Sequence, residues 1–258
     1  MSDYAERFGG VARLFGRDAA GRLARASVCV VGIGGVGSWA AEALGRSGLG
    51  QLTLVDLDDV CVTNVNRQLP ALDGAIGRPK VALMAERLRA INPEAVIHAR
   101  QDFFTADNAA ELLAPRFDFV VDAIDTPRLK ALLVAACCAR GIRVICSGGA
   151  GGRRDSTRVR TGDLSGSTHD RLLAEVRRRL RREHGFPPAG RRMGIDGVFS
   201  DEPPVFPSRD GGICEAPEPG SGQRLDCRSG LGTACFVTGA FGFALAARVV
   251  ARLASDPA

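Results

Sequence analysis

The chain has 258 residues, 45% of them hydrophobic and 24% charged, with a formal net charge of +5. A chain of that size and apolar content buries its own core, which excludes the disordered and disulfide-scaffold classes. The charge is uneven: residues 153–192 hold twelve Arg against five acids, or +7, and leave the rest of the chain near −2. Such a basic segment points to an anionic partner. The eight Cys, at 29, 61, 137, 138, 146, 214, 227 and 235, include no Cys-x-x-Cys pair. Neither a structural zinc nor a dithiol redox pair is therefore expected, and several of the thiols fall in apolar runs, as buried thiols of a reducing compartment do. The first residues, Met-Ser-Asp-Tyr-Ala-Glu-Arg, contain no apolar signal region, so a cytoplasmic location is expected.

Residues 1–26 read as an N-terminal cap with a helix over 18–26. From 27 to 147 the pattern alternates. Strands are predicted at 27–32, 51–56, 95–100, 117–122 and 143–147, and helices at 38–47, 78–91, 106–113 and 127–140. The helix over 78–91 shows its period in Val81, Met84, Leu88 and Ile91, and Asn92-Pro93 stops it. This alternation predicts an α/β fold: a doubly wound, Rossmann-like, mostly parallel sheet. Gly148 to Gly152 reads as a flexible boundary. It divides a cap and nucleotide-binding core, 1–152, from a basic extension, 153–258, that completes the same globular unit. Within the extension a short strand is expected at 157–160, and a helix at 170–183 with Leu172, Leu173, Val176 and Leu180 inward. Surface loops are expected over 184–228, and a last helix over 233–254. Ser229 to Ala247 is nineteen residues without a charge, long enough to span a bilayer. Its four Gly and two Thr favour a buried helix, with loose membrane association left open.

The first strand runs into Gly32-Ile33-Gly34-Gly35-Val36-Gly37, the strand-turn-helix fingerprint of a nucleotide-binding βαβ unit. Gly32 permits the tight turn, Gly34 and its neighbour Gly35 bring backbone close to a phosphate, and Gly37 lets helix and strand approach. The helix N-terminus offers free N–H groups to that phosphate. Asp56 ends the second strand nineteen positions after Gly37, where a carboxylate accepts hydrogen bonds from ribose hydroxyls.

The run Leu54-Val55-Asp56-Leu57-Asp58-Asp59-Val60-Cys61-Val62-Thr63-Asn64-Val65-Asn66-Arg67-Gln68 resembles the adenylation signature of the ThiF/MoeB/HesA superfamily. Gly77-Arg78-Pro79-Lys80 and Asp122-Ala123-Ile124-Asp125 follow in that superfamily's order. The resemblance implies ATP and Mg²⁺ as cofactors and a carboxylate that attacks the α-phosphate. Arg67 and Lys80 would meet the charge that builds there, one as a planar fork and the other as a point charge. Asn64 would bind a phosphate or ribose oxygen, Gln68 would orient Arg67 or the nucleotide, and Asp58 would be a turn acid or a ligand. Asp125 would hold magnesium, with capping of the helix at Pro127 as its alternative role. Superfamily dimers insert an N-terminal arginine into the partner's site; Arg7 is the counterpart expected here, with Arg13 second.

Three further stretches resemble the tRNA threonylcarbamoyladenosine dehydratases: Arg7 to Gly10 with Trp39, Gly149 to Arg160 with Gly194 to Ser200, and Gly230 to Cys235. That family acts on a modified adenosine beside the tRNA anticodon. The threonyl carboxylate is adenylated, and an internal nitrogen displaces AMP to close a ring with loss of water. The resemblance implies a homodimer, tRNA carrying threonylcarbamoyladenosine as partner, and a possible cysteine desulfurase or sulfur-acceptor protein. The Arg-dense segment would contact the phosphate backbone. The resemblance implies a cysteine just before the final Gly-rich turn; Cys227 is near that place but out of register, Cys235 lies beyond it, and neither has a role that the residues assign. The alternative is an activator of a ubiquitin-like sulfur-carrier protein, against which the missing Cys-x-x-Cys pairs argue.

Overall fold

A computed structural model describes residues 3–218 and 231–255. The N-terminal cap is three helices, α1 (Tyr4–Arg7), α2 (Gly9–Phe15) and α3 (Arg17–Arg25). The core alternates β1 (Ser27–Val31), α4 (Gly35–Arg46), β2 (Gln51–Val55), α5 (Lys80–Ile91), β3 (Val96–Arg100), α6 (Ala109–Leu112), β4 (Phe119–Asp122), α7 (Pro127–Ala139) and β5 (Arg143–Ser147). Then come β6 (Val159–Asp163), α8 (Arg171–His184), β7 (Asp196–Ser200), the small hairpin β8 (Phe206–Pro207) and β9 (Ile213–Cys214), and α9 (Cys235–Ser255).

Seven strands form one sheet in the order β3-β2-β1-β4-β5-β7-β6, parallel throughout except for the β6–β7 pair. The register is continuous, Val28 facing Leu52 on one side and Phe119 on the other. Both faces of the sheet are covered, which is why β1 and β4 read as unbroken apolar runs rather than as alternating ones. One core layer joins Leu23, Val28, Leu44, Met84, Leu88, Phe241 and Leu245 from α3, α4, α5, α9 and the sheet. The other joins Phe104, Leu112, Leu133, Val134, Leu173, Val176 and Leu180 from α6, α7, α8 and the opposite face.

The structure departs from the sequence reading at several places. Helix α4 begins at Gly35 rather than 38, because the glycines of the turn already belong to its first turn. The helices α1 and α2 escape detection because no residue inside either is buried, so neither carries an apolar stripe. Only Ala109–Leu112 of 106–113 is helical. The short strand lies at Val159–Asp163, preceded by a 3-10 turn over Ser156–Arg158. Leu172 is only half-buried, while Leu173, Val176 and Leu180 are fully so.

The largest correction concerns 184–228, which is not loop throughout: β7 lies inside the sheet, between β5 and β6. Its sequence, Asp-Gly-Val-Phe-Ser, is too short and too glycine-flanked to show a period. Nor is the stretch Gly148 to Gly152 loose. Gly148 N–H donates to Val198 O at 2.7 Å, and Gly152 N–H to Gly232 O at 2.7 Å. The sheet passes straight across this position, so strands from 1–152 and 153–258 share one hydrogen-bonded layer.

Among the described residues α9 is the helix long and apolar enough to cross a membrane. One of its faces packs on α4, and its glycines serve that contact. A Cβ at Gly242 would stand 2.7 Å from the Val36 carbonyl oxygen and 2.8 Å from Ala40 N.

Candidate active site

The strand order reverses between β1 and β4, since the chain moves outward to β2 and β3 before returning to β4. In such sheets the crevice at the carboxyl ends of those two strands is where ligands bind. The turn after β1 and the loop after β4 therefore define the place to look.

Gly32 adopts φ +92, and a Cβ there would stand 2.7 Å from the Ala123 carbonyl oxygen. Only glycine allows that turn and that approach. Gly34 is the N-cap of α4, with a φ of −84 that other residues share, and its open side faces the Gln68 amide. Gly35 packs against the Arg67 stem and Thr238 of α9. A Cβ at Gly37 would overlap the Gly32 carbonyl and press on Ala123. The first turn of α4 thus carries no side chain at Gly35 or Gly37, and a helix N-terminus offers its free N–H groups to a phosphate.

Asp56 ties this turn to β2. Its Oδ2 accepts from Ile33 N at 2.6 Å and its Oδ1 from Asp58 N at 2.8 Å. Burial pushes the Asp56 carboxyl above its ordinary range, opposed by the nearby Lys80 charge and by these two N–H groups. Each oxygen keeps a second lone pair, so a ribose contact adds to the turn-holding role and does not compete with it.

Lys80 is brought in by a short ladder. Val60 N–H donates to Arg78 O, Gly77 N–H to Val60 O, and Lys80 N–H to Asp58 O. Lys80 opens α5 with 5% of its surface exposed, and its Nζ lies 2.8 Å from Asp58 Oδ2. The Asp58 side chain is 56% exposed. The pair is lopsided: a sheltered ammonium faces a solvated carboxylate that a ligand's phosphate can replace as its partner.

The turn Val62–Asn64 and the residues after it carry the other cation. Asn64 is buried and its Oδ1 accepts from Cys61 N at 3.0 Å, which closes the turn. That oxygen is therefore a structural acceptor, and only the Asn64 amide N–H₂ is left to meet a nucleotide. Arg67 donates to Thr63 O at 2.7 Å and Asn66 Oδ1 at 3.1 Å. Its own carbonyl accepts from Trp39 Nε1 at 3.1 Å and Thr238 Oγ1 at 3.3 Å. Gln68 is buried beside Gly34, and its Oε1 has no partner. A buried amide oxygen without a donor, next to a phosphate-type turn, is a place where a ligand donor fits.

Asp125 stands exposed just beyond β4 and accepts only from Thr126 Oγ1, at 3.3 Å. It does not cap α7, whose N-cap is Thr126. Its carboxylate is thus available to a cation. Among the described residues no group of three or more His, Cys, Asp and Glu is placed to hold a metal. A single free carboxylate suits magnesium held largely by substrate phosphates, the usual arrangement for that ion, so the donor set fits.

Arg7 is not brought to this site. It pairs with Asp3 at 2.7 Å and approaches Ile91 O, where α5 ends before β3. That is the amino end of the strands, opposite the crevice. Cys227 lies outside the described residues, and Cys235 is exposed at the start of α9. The basic segment is also less free than its composition suggests. Arg153 is buried, with its guanidinium on Glu202 O and His169 O, and Arg158 and Arg160 pair with Asp201. The outer face of α8 retains Arg178, Arg179 and Arg182, interleaved with Glu175 and Glu183.

Sequence reasoning missed Thr238 and Lys130, and gave Asp122 no role beyond its place in the motif. Thr238 meets Gly35 and Arg67 only because α9 folds back onto α4, and nothing local signals that.

A reversed strand order, a glycine turn beneath it and two cations beside it define a nucleotide-binding α/β protein of the adenylating type. Comparison with known proteins agrees: residues 9–255 match the ThiF family. The chain is 45% identical to the tRNA threonylcarbamoyladenosine dehydratase of Escherichia coli over 257 residues, 99% of this chain and 96% of that one. It is 44% identical to that of Haemophilus influenzae over 254 residues, 98% and 95% of the two chains. A crystal structure of the E. coli dehydratase in complex with ATP superposes with a TM-score of 0.86, covering 98% of this chain and 96% of that one at 42% identity. The chain belongs to the ThiF family and, within it, to the tRNA threonylcarbamoyladenosine dehydratases.

Proposed function

We propose that the protein closes the threonylcarbamoyl group of a modified tRNA adenosine into a ring, at the expense of ATP. The threonyl carboxylate attacks the α-phosphorus and pyrophosphate leaves. The carbamoyl nitrogen of the same group then attacks the acyl carbon and AMP leaves, so the nucleoside loses one water overall. No protein nucleophile is needed, because the nitrogen is already tethered beside the acyl carbon. Effective molarities for well-oriented groups reach about 10⁵–10⁸ M. The observation that carries the reading is the convergence of Lys80, Arg67 and the glycine turn on the switch-point crevice.

In this reading the α4 N-terminus and Gly34 receive phosphate oxygens, and Asp56 and the Asn64 amide hold the ribose side. Gln68 takes a nucleotide donor on its unpartnered oxygen. Lys80 exchanges Asp58 for the phosphate, and Arg67 turns from its own turn onto the reacting group. Asp125 would hold magnesium, which when bound neutralises phosphate charge. The exposed arginines of α8 are offered to the tRNA backbone. The expected result is release of AMP and pyrophosphate only with tRNA that carries threonylcarbamoyladenosine. Equal release with unmodified tRNA would overturn the reading.

The partners follow the same reading. A homodimer is supported by exposed apolar side chains beside the site: Phe236 and Phe243 on α9, and Val62 and Val65 next to Arg67. In such a dimer Arg7 or Arg13 would serve the partner's site. Sedimentation should give twice the 27.1 kDa chain mass, and Phe243→Asp should halve it; a wild-type monomer would contradict the dimer. A cytoplasmic location agrees with a tRNA substrate. A sulfur-acceptor partner rests on the family resemblance alone.

A further inference from the structure

The chain has two lysines, and the second, Lys130, has no surface exposed at all. It is the fourth residue of α7, five positions after Asp125. Its Nζ lies 2.9 Å from Asp122 Oδ2 and donates to the Asp122 main-chain oxygen at 3.1 Å. Asp122 is equally buried, and its Oδ1 accepts from Ile124 N at 3.2 Å.

Stability does not explain this arrangement. Replacing a buried ion pair by apolar groups of similar volume is often neutral or stabilising, whereas leaving one charge alone is strongly destabilising. What an apolar pair cannot do is grip a backbone carbonyl and a carboxylate of the same residue. Asp122 opens the loop Asp122-Ala123-Ile124-Asp125, and that loop is the floor of the crevice. Ala123 N–H donates to Val31 O at 2.9 Å, and the Ala123 carbonyl closes under Gly32. With those contacts anchoring Ala123 to β1, a loop slack at Asp122 would let the Asp125 carboxylate drift while the glycine turn stays in place. Nearby, Asp170 caps α8 through Leu173 N and holds Gly149 N at 2.9 Å; burial pushes its carboxyl above the ordinary range, opposed first by these two N–H groups and then by the Arg153 and Lys130 charges.

We propose that Lys130 is a positioning residue for the reaction. Through Asp122 it fixes the loop that carries Asp125 under the glycine turn, without touching nucleotide or tRNA. The inference rests on the dehydratase reading above.

The decisive variant is Lys130→Met with Asp122→Asn, which removes both charges together, so that no buried charge is left alone. Lys130→Met alone strands a buried carboxylate and serves only as a stability control. In the double variant the melting temperature should stay within a few degrees of wild type, and ATP affinity within about threefold. The single-turnover dehydration rate at saturating ATP should fall by about 30-fold or more, as expected when reacting groups lose their alignment. Amide exchange in 122–126 should quicken at least about tenfold while the β1 amides keep their protection, a local opening. A wild-type rate or unchanged exchange in 122–126 overturns the inference, as does an ATP affinity that falls as far as the rate. Wild-type protein in the same assay separates the two ideas. If it too fails to dehydrate the modified tRNA, the dehydratase reading falls; if it alone succeeds, that reading stands whatever the double variant does.

Discussion

Lys80→Ala is expected to lower the single-turnover rate of dehydration by about 10²–10³-fold at saturating ATP, the usual loss for one preorganised charge donor. The fold should survive, because the partner left behind, Asp58, is 56% exposed and simply returns to water. The magnitude follows from shelter. With 5% of its surface exposed, the Lys80 ammonium acts where water screens it poorly, so its attraction for a phosphate oxygen exceeds that of a surface lysine. Lys80→Arg should not restore the rate, since the guanidinium is larger and planar while the space fits a point charge. Quenched-flow measurement of AMP formation checks this. A rate within threefold of wild type for Lys80→Ala would remove this residue from the chemistry.

Gly37→Ala should have the second large effect, on binding rather than on rate. The added methyl would overlap the Gly32 carbonyl and press on Ala123, both of them backbone-anchored groups that cannot swing aside. Helix α4 must then lift from β1, at a cost of about 1–3 kcal/mol for overpacking. The N–H groups that face the phosphates move with it. ATP binding by calorimetry should weaken by about 100-fold or more, in keeping with the loss of several aligned charge-assisted hydrogen bonds. Gly34→Ala is the matched control, because the nearest atom to its Cβ is the flexible end of Gln68 at 3.9 Å. It should keep wild-type stability. Similar ATP affinities for wild type and Gly37→Ala would contradict the geometry.

How much of this was legible in the chain itself differs by kind of signal. The βαβ unit from Val28 to Val55 could be read because its elements are local: an apolar strand, glycines at fixed offsets and an acid at the right distance. Lys80 stood out by composition, one of two lysines in an arginine-rich chain. Its approach to Asp58 depends on the ladder between residues 58–60 and 77–80, which joins two stretches close in sequence. Strand β7 was not legible, since its place in the sheet is set by pairing with β5 and β6 rather than by its own pattern. Thr238 and the Lys130–Asp122 pair were hidden for the same reason: their contacts form between elements remote in the chain or inside the core. Composition also overstated the basic surface, because it cannot separate a buried arginine such as Arg153 from an exposed one such as Arg178.

The central claim is most directly tested by the mass of the modified nucleoside. tRNA bearing threonylcarbamoyladenosine is incubated with the protein, ATP and magnesium, then digested without base, which would reopen the ring. Ring closure should leave a nucleoside lighter by one water with wild-type protein, and no change with Lys80→Ala. An unchanged mass with wild-type protein that still binds ATP would contradict it, and would turn attention to activation of a sulfur-carrier protein by the same site.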